Sequence, residues 1–460
     1  MSTKSSRNTT ISENYAEIIS NITFDDLPEK AKEIAVNDLI DMTGLCVAAR
    51  NENYVQMLVK AWEIDGNCTA IGHAKSFNLT GAALINGTAT HGEDFDDTLE
   101  GAPIRVGAMV IPAVLAASEH FGLSGKDLLL GIVVGLETIC RMNHVVAGKI
   151  HKQGFHPVGV IGPFGAAVGV SKALGLNKTQ IMNALGIAAS FSSGIIEYLT
   201  DGSWTKRLHP GWAAQSGLQA ALIAKEGFIG PRTVFEGENN FFRAFAPSAT
   251  PKYEYLTEEV GKKWMMQNIV FKPYACGTMI HPYIDCMIRL AQKGVDPENI
   301  VKIECKTGEG LVHRLWEPLA KKQIPTTGYA AKFSMPWCMA LGFFEQDAGL
   351  GQFTDEKVKN PDILKLSSKI YYIIDPENEY PDNYTGHIKV HFKNGIIEEL
   401  QQDHMRGGVK EPLTRNELIK KFQSNIYYGK WSKEQGKRLL NFCINLEKYE
   451  DLKMLVTIRK

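Results

Sequence analysis

The sequence predicts a mainly α protein, with a large all-helical domain made from both ends of the chain and a smaller α+β domain inserted between them. Three observations carry this reading. Up to about residue 265, helix-start signals precede apolar positions that recur with helical period; from 268 to 404 segments alternate with period two; beyond 405 the helical texture returns. The domains drawn on this basis are 1–267 with 405–460, and 268–404. A chain of 460 residues is too long for one simple core, which agrees with two domains.

The elements follow in order. The first ten or so residues are polar and read as disordered, without the apolar core of a secretory signal. Asp25-Asp26-Leu-Pro-Glu reads as a capped helix start. Ser124-Gly-Lys-Asp and Asn177-Lys-Thr-Gln open two more helices, each after a Gly that closes the helix before it. Ala- and Gly-rich runs in these helices let their axes approach closely. In the inserted domain, residues 300–306 alternate as a half-buried strand does. Residues 387–400 read as a β-hairpin with Asn394-Gly395 in the turn. Helical patterns at 281–293 and 329–345 lie between the strands, and Thr414 and Ser432 start two closing helices.

Composition limits the function. Lys plus Arg is 50 and Asp plus Glu 51, a balance that argues against a nucleic-acid or membrane-surface partner. The apolar stretch 128–140 is short and is followed closely by Arg141, so it reads as a buried helix and not a membrane span. Eight cysteines without a C-x-x-C pair or zinc-like spacing read as the reduced, buried thiols of a cytoplasmic protein.

Four segments carry chemistry. His91-Gly-Glu-Asp-Phe-Asp-Asp-Thr98 places four carboxylates in five positions; read as helix, it sets Asp94 and Thr98 on one face pointing into a cleft. Gly154-Phe-His156-Pro holds an imidazole in a turn before a long helix, where the helix dipole keeps it neutral and ready to accept a proton. Residues 202–212 gather Lys206, Arg207, His209 and two tryptophans into a loop before another helix, read as a partly buried cationic pocket for an anion. Lys272 and His281 mark entry to the second domain, where both could reach an inter-domain cleft. Arg105, alone in an apolar stretch, suits a bidentate carboxylate clamp.

In this order and spacing the segments resemble the MmgE/PrpD family, which includes 2-methylcitrate dehydratases, cis-aconitate decarboxylases and iminodisuccinate epimerases. The resemblance runs over nearly the whole chain: His91-x-x-Asp94-Phe-Asp-Asp-Thr98, Gly-Phe-His156-Pro, Thr-Lys206-x-x-His209, and Lys272 with His281 nine residues on. It implies an α+β lid over a helical domain, a homodimer, a site in the cleft, and chemistry with no metal and no organic cofactor. It also implies active-site roles for Asp94, Thr98, His156, Lys206 and Lys272. Two positions depart from the decarboxylases: Arg105 and Gly277 stand where those proteins have histidines. His151 stands where the epimerase has a tyrosine, and offers a different proton donor or acceptor.

The expected reaction is cofactor-independent proton abstraction α to a carboxylate of a small di- or tricarboxylic acid, as in a 2-methylcitrate dehydratase-like hydro-lyase. His156 and Lys206, or His151, would be base and acid; Asp94 and Thr98 would orient them; Arg105, Lys272, His209 and His281 would bind substrate. An epimerase or a decarboxylase is the alternative within the family. Outside it stand a Mg²⁺-dependent diphosphate enzyme, suggested by Asp94-Phe-Asp-Asp97, and a non-catalytic polycarboxylate-binding protein.

Overall fold

The computed structural model describes residues 9–62, 64–102 and 104–459, and these are mostly helical with small sheets. Residues 1–8 of the polar leader lie outside the described residues. Thr10 does not belong to a disordered tract: it caps the helix Ile11–Asn21 through a reciprocal box with Glu13. The start at Asp25-Asp26 also differs from expectation. Asp26 closes a box with Thr23 around a short turn, and the long helix Glu29–Ala49 begins after Pro28 without a side-chain cap. The boxes at Ser124 with Asp127 and Asn177 with Gln180 are present, and Gly122 closes its helix in the left-handed conformation.

The chain divides into two compact units, Met1–Gly92 with Asp96–Ile269 and Asn425–Lys460, and Glu93–Phe95 with Val270–Ser424. In the first unit, Pro157–Ala173 packs broadly against Gly125–Val146 and Thr205–Lys225, and Thr205–Lys225 also packs on Leu79–His91. Glycine makes this possible. A Cβ on Gly135 would stand 2.8 Å from the Gly165 carbonyl oxygen, so side chains here would force the helices apart. Gly125–Val146 is long and apolar enough to cross a membrane, yet 89% of its apolar window is buried inside the protein, as in a core helix.

In the second unit a four-stranded sheet runs in the order Ile370–Ile374, Ile300–Thr307, Gly386–Phe392, Ile397–Gln402. The first pair is parallel and the others antiparallel. The hairpin turns at Gly395, whose φ of 81° suits glycine. Helix His281–Gln292 packs on Met335–Glu345 and on the hairpin strands. The 329–345 pattern is broken: Gly328–Ala331 is a single turn, and Ser334 caps a fresh helix at Met335. All eight cysteines are buried and unpaired with one another.

Candidate active site

The first unit brings three helix ends together. His91 ends the helix Leu79–His91; His156 is the N-cap of Pro157–Ala173, with Pro157 at its first position; Lys206 and His209 lie on the first turns of Thr205–Lys225. The segment 205–212 is therefore helix and not the loop expected, with Pro210 accommodated inside it. Close approach fixes the arrangement: a Cβ on Gly211 would lie 2.2 Å from the Leu84 carbonyl oxygen. The turn carrying His156 is tied to residues 194–196, since His156 N–H donates to Gly194 O (2.8 Å) and Ile196 N–H to Gly154 O (3.1 Å). Gly194, at φ 109°, leaves only 3.2 Å between an added Cβ and His209 Nδ1, so a side chain there would press on that ring.

Histidines form the centre. His91 Nδ1 lies 2.8 Å from Asp96 Oδ2, and both groups are buried. A carboxylate so placed accepts the Nδ1 proton and leaves the lone pair on Nε2, which makes no hydrogen bond among the described residues. The His91 and His156 ring centres are 5.7 Å apart, and His156 Nδ1 lies 3.0 Å from His209 Nδ1. Tyr198 packs edge-on against both His156 and His209, 5.8 Å from each. Burial holds His156 well below the usual imidazole range, and the charges of His91, Lys206, His209 and His151 press it further. Burial is thus the first cause of its lowering. His91 and His209 are lowered for the same first reason, His209 to about 4. Beside His209 lies a cavity of about 480 Å³ that includes Tyr198, Ile195, Leu208 and Trp212.

The acidic segment is not a helix. Asp94 has φ 56° and Thr98 lies in the short strand Thr98–Leu99, so they share no helical face. Asp97 takes the amides of Val106 and Gly107 at 3.2–3.3 Å. Arg105 Nε sits 3.4 Å from Asp96 Oδ1, and its guanidinium donates to Asp97 O at 3.2 Å. Thr98 Oγ1 reaches the Ile104 carbonyl at 3.4 Å. His151 is exposed on the short helix Lys149–Lys152. The tryptophans 204 and 212 are both more than 40% exposed, Arg207 stacks on Tyr54 at 4.5 Å, and Trp212 with His209 lines the cavity.

The second unit holds Glu93–Phe95 by three separate lysines. Lys332 Nζ donates to Glu93 O and Oε2, both at 2.7 Å. Lys272 Nζ donates to Asp94 O at 2.5 Å and Oδ2 at 3.1 Å. Lys421 Nζ donates to Phe95 O at 2.8 Å and stands 3.9 Å from the Phe95 ring centre. His281 is fully buried, packs edge-on against Tyr274 at 5.4 Å, and is lowered by burial and by Lys272. Sequence reasoning had no role for Lys332, Lys421, Tyr198 or the imidazole of His91. Only His91 carried a signal, five residues before Asp96 in the motif itself.

Residues 13–254 match the MmgE/PrpD N-terminal domain and residues 274–446 the MmgE/PrpD C-terminal domain. The cis-aconitate decarboxylase of Aspergillus terreus is 27% identical over 470 residues, covering 95% of this chain and 94% of its own. The human cis-aconitate decarboxylase is 29% identical over 396 residues, with 83% of this chain and 79% of its own covered. A probable 2-methylcitrate dehydratase of Saccharomyces cerevisiae is 22% identical, with 78% and 73% covered.

Proposed function

The chain belongs to the MmgE/PrpD family, and from that premise we propose that it is a lyase of small di- or tricarboxylic acids, acting by proton abstraction α to a carboxylate. The observation that carries the reading is His156: a buried imidazole kept neutral beside the charge of Lys206. A neutral imidazole accepts the carbon-bound proton, and a nearby cation stabilises the enediolate that forms. Lys206 is assigned that cation and the acid role, with His151 as the other proton donor or acceptor. Arg105 and Lys272 are assigned to the substrate carboxylates, and Asp94 and Thr98 to orientation. Loss of the β-hydroxyl then completes a dehydration.

Dehydration is preferred because Gly277 occupies a position where the decarboxylases carry an active-site histidine, and the nearest atoms to a side chain there are the methyls of Ile280 and Leu315. The 27–29% identity to cis-aconitate decarboxylases favours decarboxylation as the second reading. The carboxylates of the acidic segment argue against a magnesium site. Asp94 faces Lys272, Asp96 faces His91 and Arg105, and Asp97 takes two backbone amides, so each would have to abandon a donor to bind a cation.

The test is incubation with citrate, 2-methylcitrate, cis-aconitate and amino-dicarboxylates in D₂O, followed by NMR. It reads dehydration, decarboxylation and epimerisation together. A protein that made no product and put no deuterium on any carbon would overturn the reading. His156→Ala and Lys206→Ala are each expected to lower turnover about 10²–10⁴-fold with unchanged circular dichroism. Full activity in both variants would remove them from the acid–base pair.

A further inference from the structure

We infer that His209 is the proton outlet of the site: it holds the His156 ring in place and exchanges that ring's proton with solvent in the adjoining cavity. The inference rests on the proposed proton chemistry at His156 and deepens it. Two ring nitrogens 3.0 Å apart must share one hydrogen, so one Nδ1 donates while the other accepts. His156 is buried, whereas His209 borders a cavity of about 480 Å³. The cavity is far larger than the roughly 30 Å³ that a water occupies. Its wall includes Ile195 at 62% and Trp212 at 45% exposure, so it meets solvent. Gly194 keeps the approach open, since any side chain there would press on His209.

The transfer balances. A proton taken from carbon onto His156 Nε2 makes an imidazolium; its Nδ1 proton passes to His209 Nδ1, and the Nε2 proton of His209 leaves to water. Run inward, water protonates His209 Nε2, the Nδ1 proton returns to His156, and the Nε2 proton of His156 is delivered to carbon. After a net outward turnover the rings are reset by the same path: water protonates His209 Nε2, the Nδ1 proton returns to His156, and the His156 Nε2 proton leaves to water in the emptied site, restoring both starting tautomers. His209 thus acts through His156 and does not bind the substrate, in place of the substrate-binding role expected from the sequence.

The experiment compares wild type, His209→Ala and His209→Gln with cis-aconitate and 2-methylcitrate as probes, with and without free imidazole. Expected for His209→Ala are a KM within about twofold of wild type, a kcat lower by about 10²-fold, and recovery of about tenfold or more by imidazole. Deuterium entry from D₂O into substrate slows in parallel. A kcat unchanged in His209→Ala overturns the proposal. So does a loss that His209→Gln repairs and imidazole does not, because that result means a hydrogen-bonding prop. A second readout needs no turnover: ¹⁵N-histidine-labelled resting protein should show a low-field proton shared by the two rings, lost in His209→Ala. Its absence from wild type overturns the relay. Its presence in a protein inert toward the whole panel supports the relay and overturns the functional reading instead.

Discussion

Asp94 adopts a left-handed backbone that costs an ordinary residue about 1–3 kcal/mol, and it does so between two neighbours that are also gripped by lysines. The grip over-determines the loop. Lys332 and Glu93 are both well buried, so Lys332→Met leaves a buried carboxylate without its cation and should destabilise the protein by about 3–5 kcal/mol. Urea denaturation measures this. The double variant Lys332→Met with Glu93→Gln should recover more than half of the loss, since the unpaired charge is gone. Equal instability of single and double variants would show that the lysine acts through packing alone. None of this was legible in the sequence. The lysines stand 178, 239 and 326 positions from the residues they hold, and an isolated lysine carries no local signal of such a partner.

At the scale of helices and strands, the sequence was informative wherever local chemistry decides. Capping boxes at Ser124 and Asn177, the left-handed Gly122 and the Asn394-Gly395 turn each satisfy their own backbone groups within four residues. Reading failed where tertiary packing decides. The strand Ile370–Ile374 is not legible because its outer positions Tyr371, Ile373 and Ile374 are about half exposed apolar residues, which erases the alternation. Lys206 and His209 looked like loop because Gly, Pro and Trp surround them, yet the helix starts at Thr205 and is pinned at Gly211. Gly211→Ala would place its methyl 2.2 Å from Leu84 O and 2.3 Å from Thr88 Oγ1. The expected cost is about 1–3 kcal/mol, with turnover falling because His209 is two residues away. Gly351, with open space around an added Cβ, serves as the control: Gly351→Ala should stay within about 0.5 kcal/mol of wild type.

At the scale of the whole molecule, His73, His91, His144, His156, His209 and His281 are lowered, each chiefly by burial. As pH falls through 6.5 the unfolded chain protonates these rings while the folded protein resists, so the unfolded state binds more protons and stability drops. His73 and His209, at about 4, each account for about 2 kcal/mol of loss by pH 5. Asp97, raised to about 7, gains about 2 kcal/mol over the same window, and Glu119, Glu137, Asp285 and Asp347 are raised too, so the carboxylates offset much of the loss. One ring is therefore read by difference: His209→Gln should lose about 2 kcal/mol less stability than wild type between pH 7 and pH 5, and an equal loss in both would contradict a buried, neutral His209.

The eight buried thiols have a practical consequence. Four of them (Cys46, Cys68, Cys140 and Cys443) belong to the first compact unit and four (Cys276, Cys286, Cys305 and Cys338) to the second. A thiolate is the species that alkylating reagents attack, and a thiol sealed in apolar surroundings forms it only when the structure around it opens. The protein therefore carries an internal clock for each half. Timed iodoacetamide labelling followed by peptide mass spectrometry reads the opening rate of each unit separately, without adding a single probe.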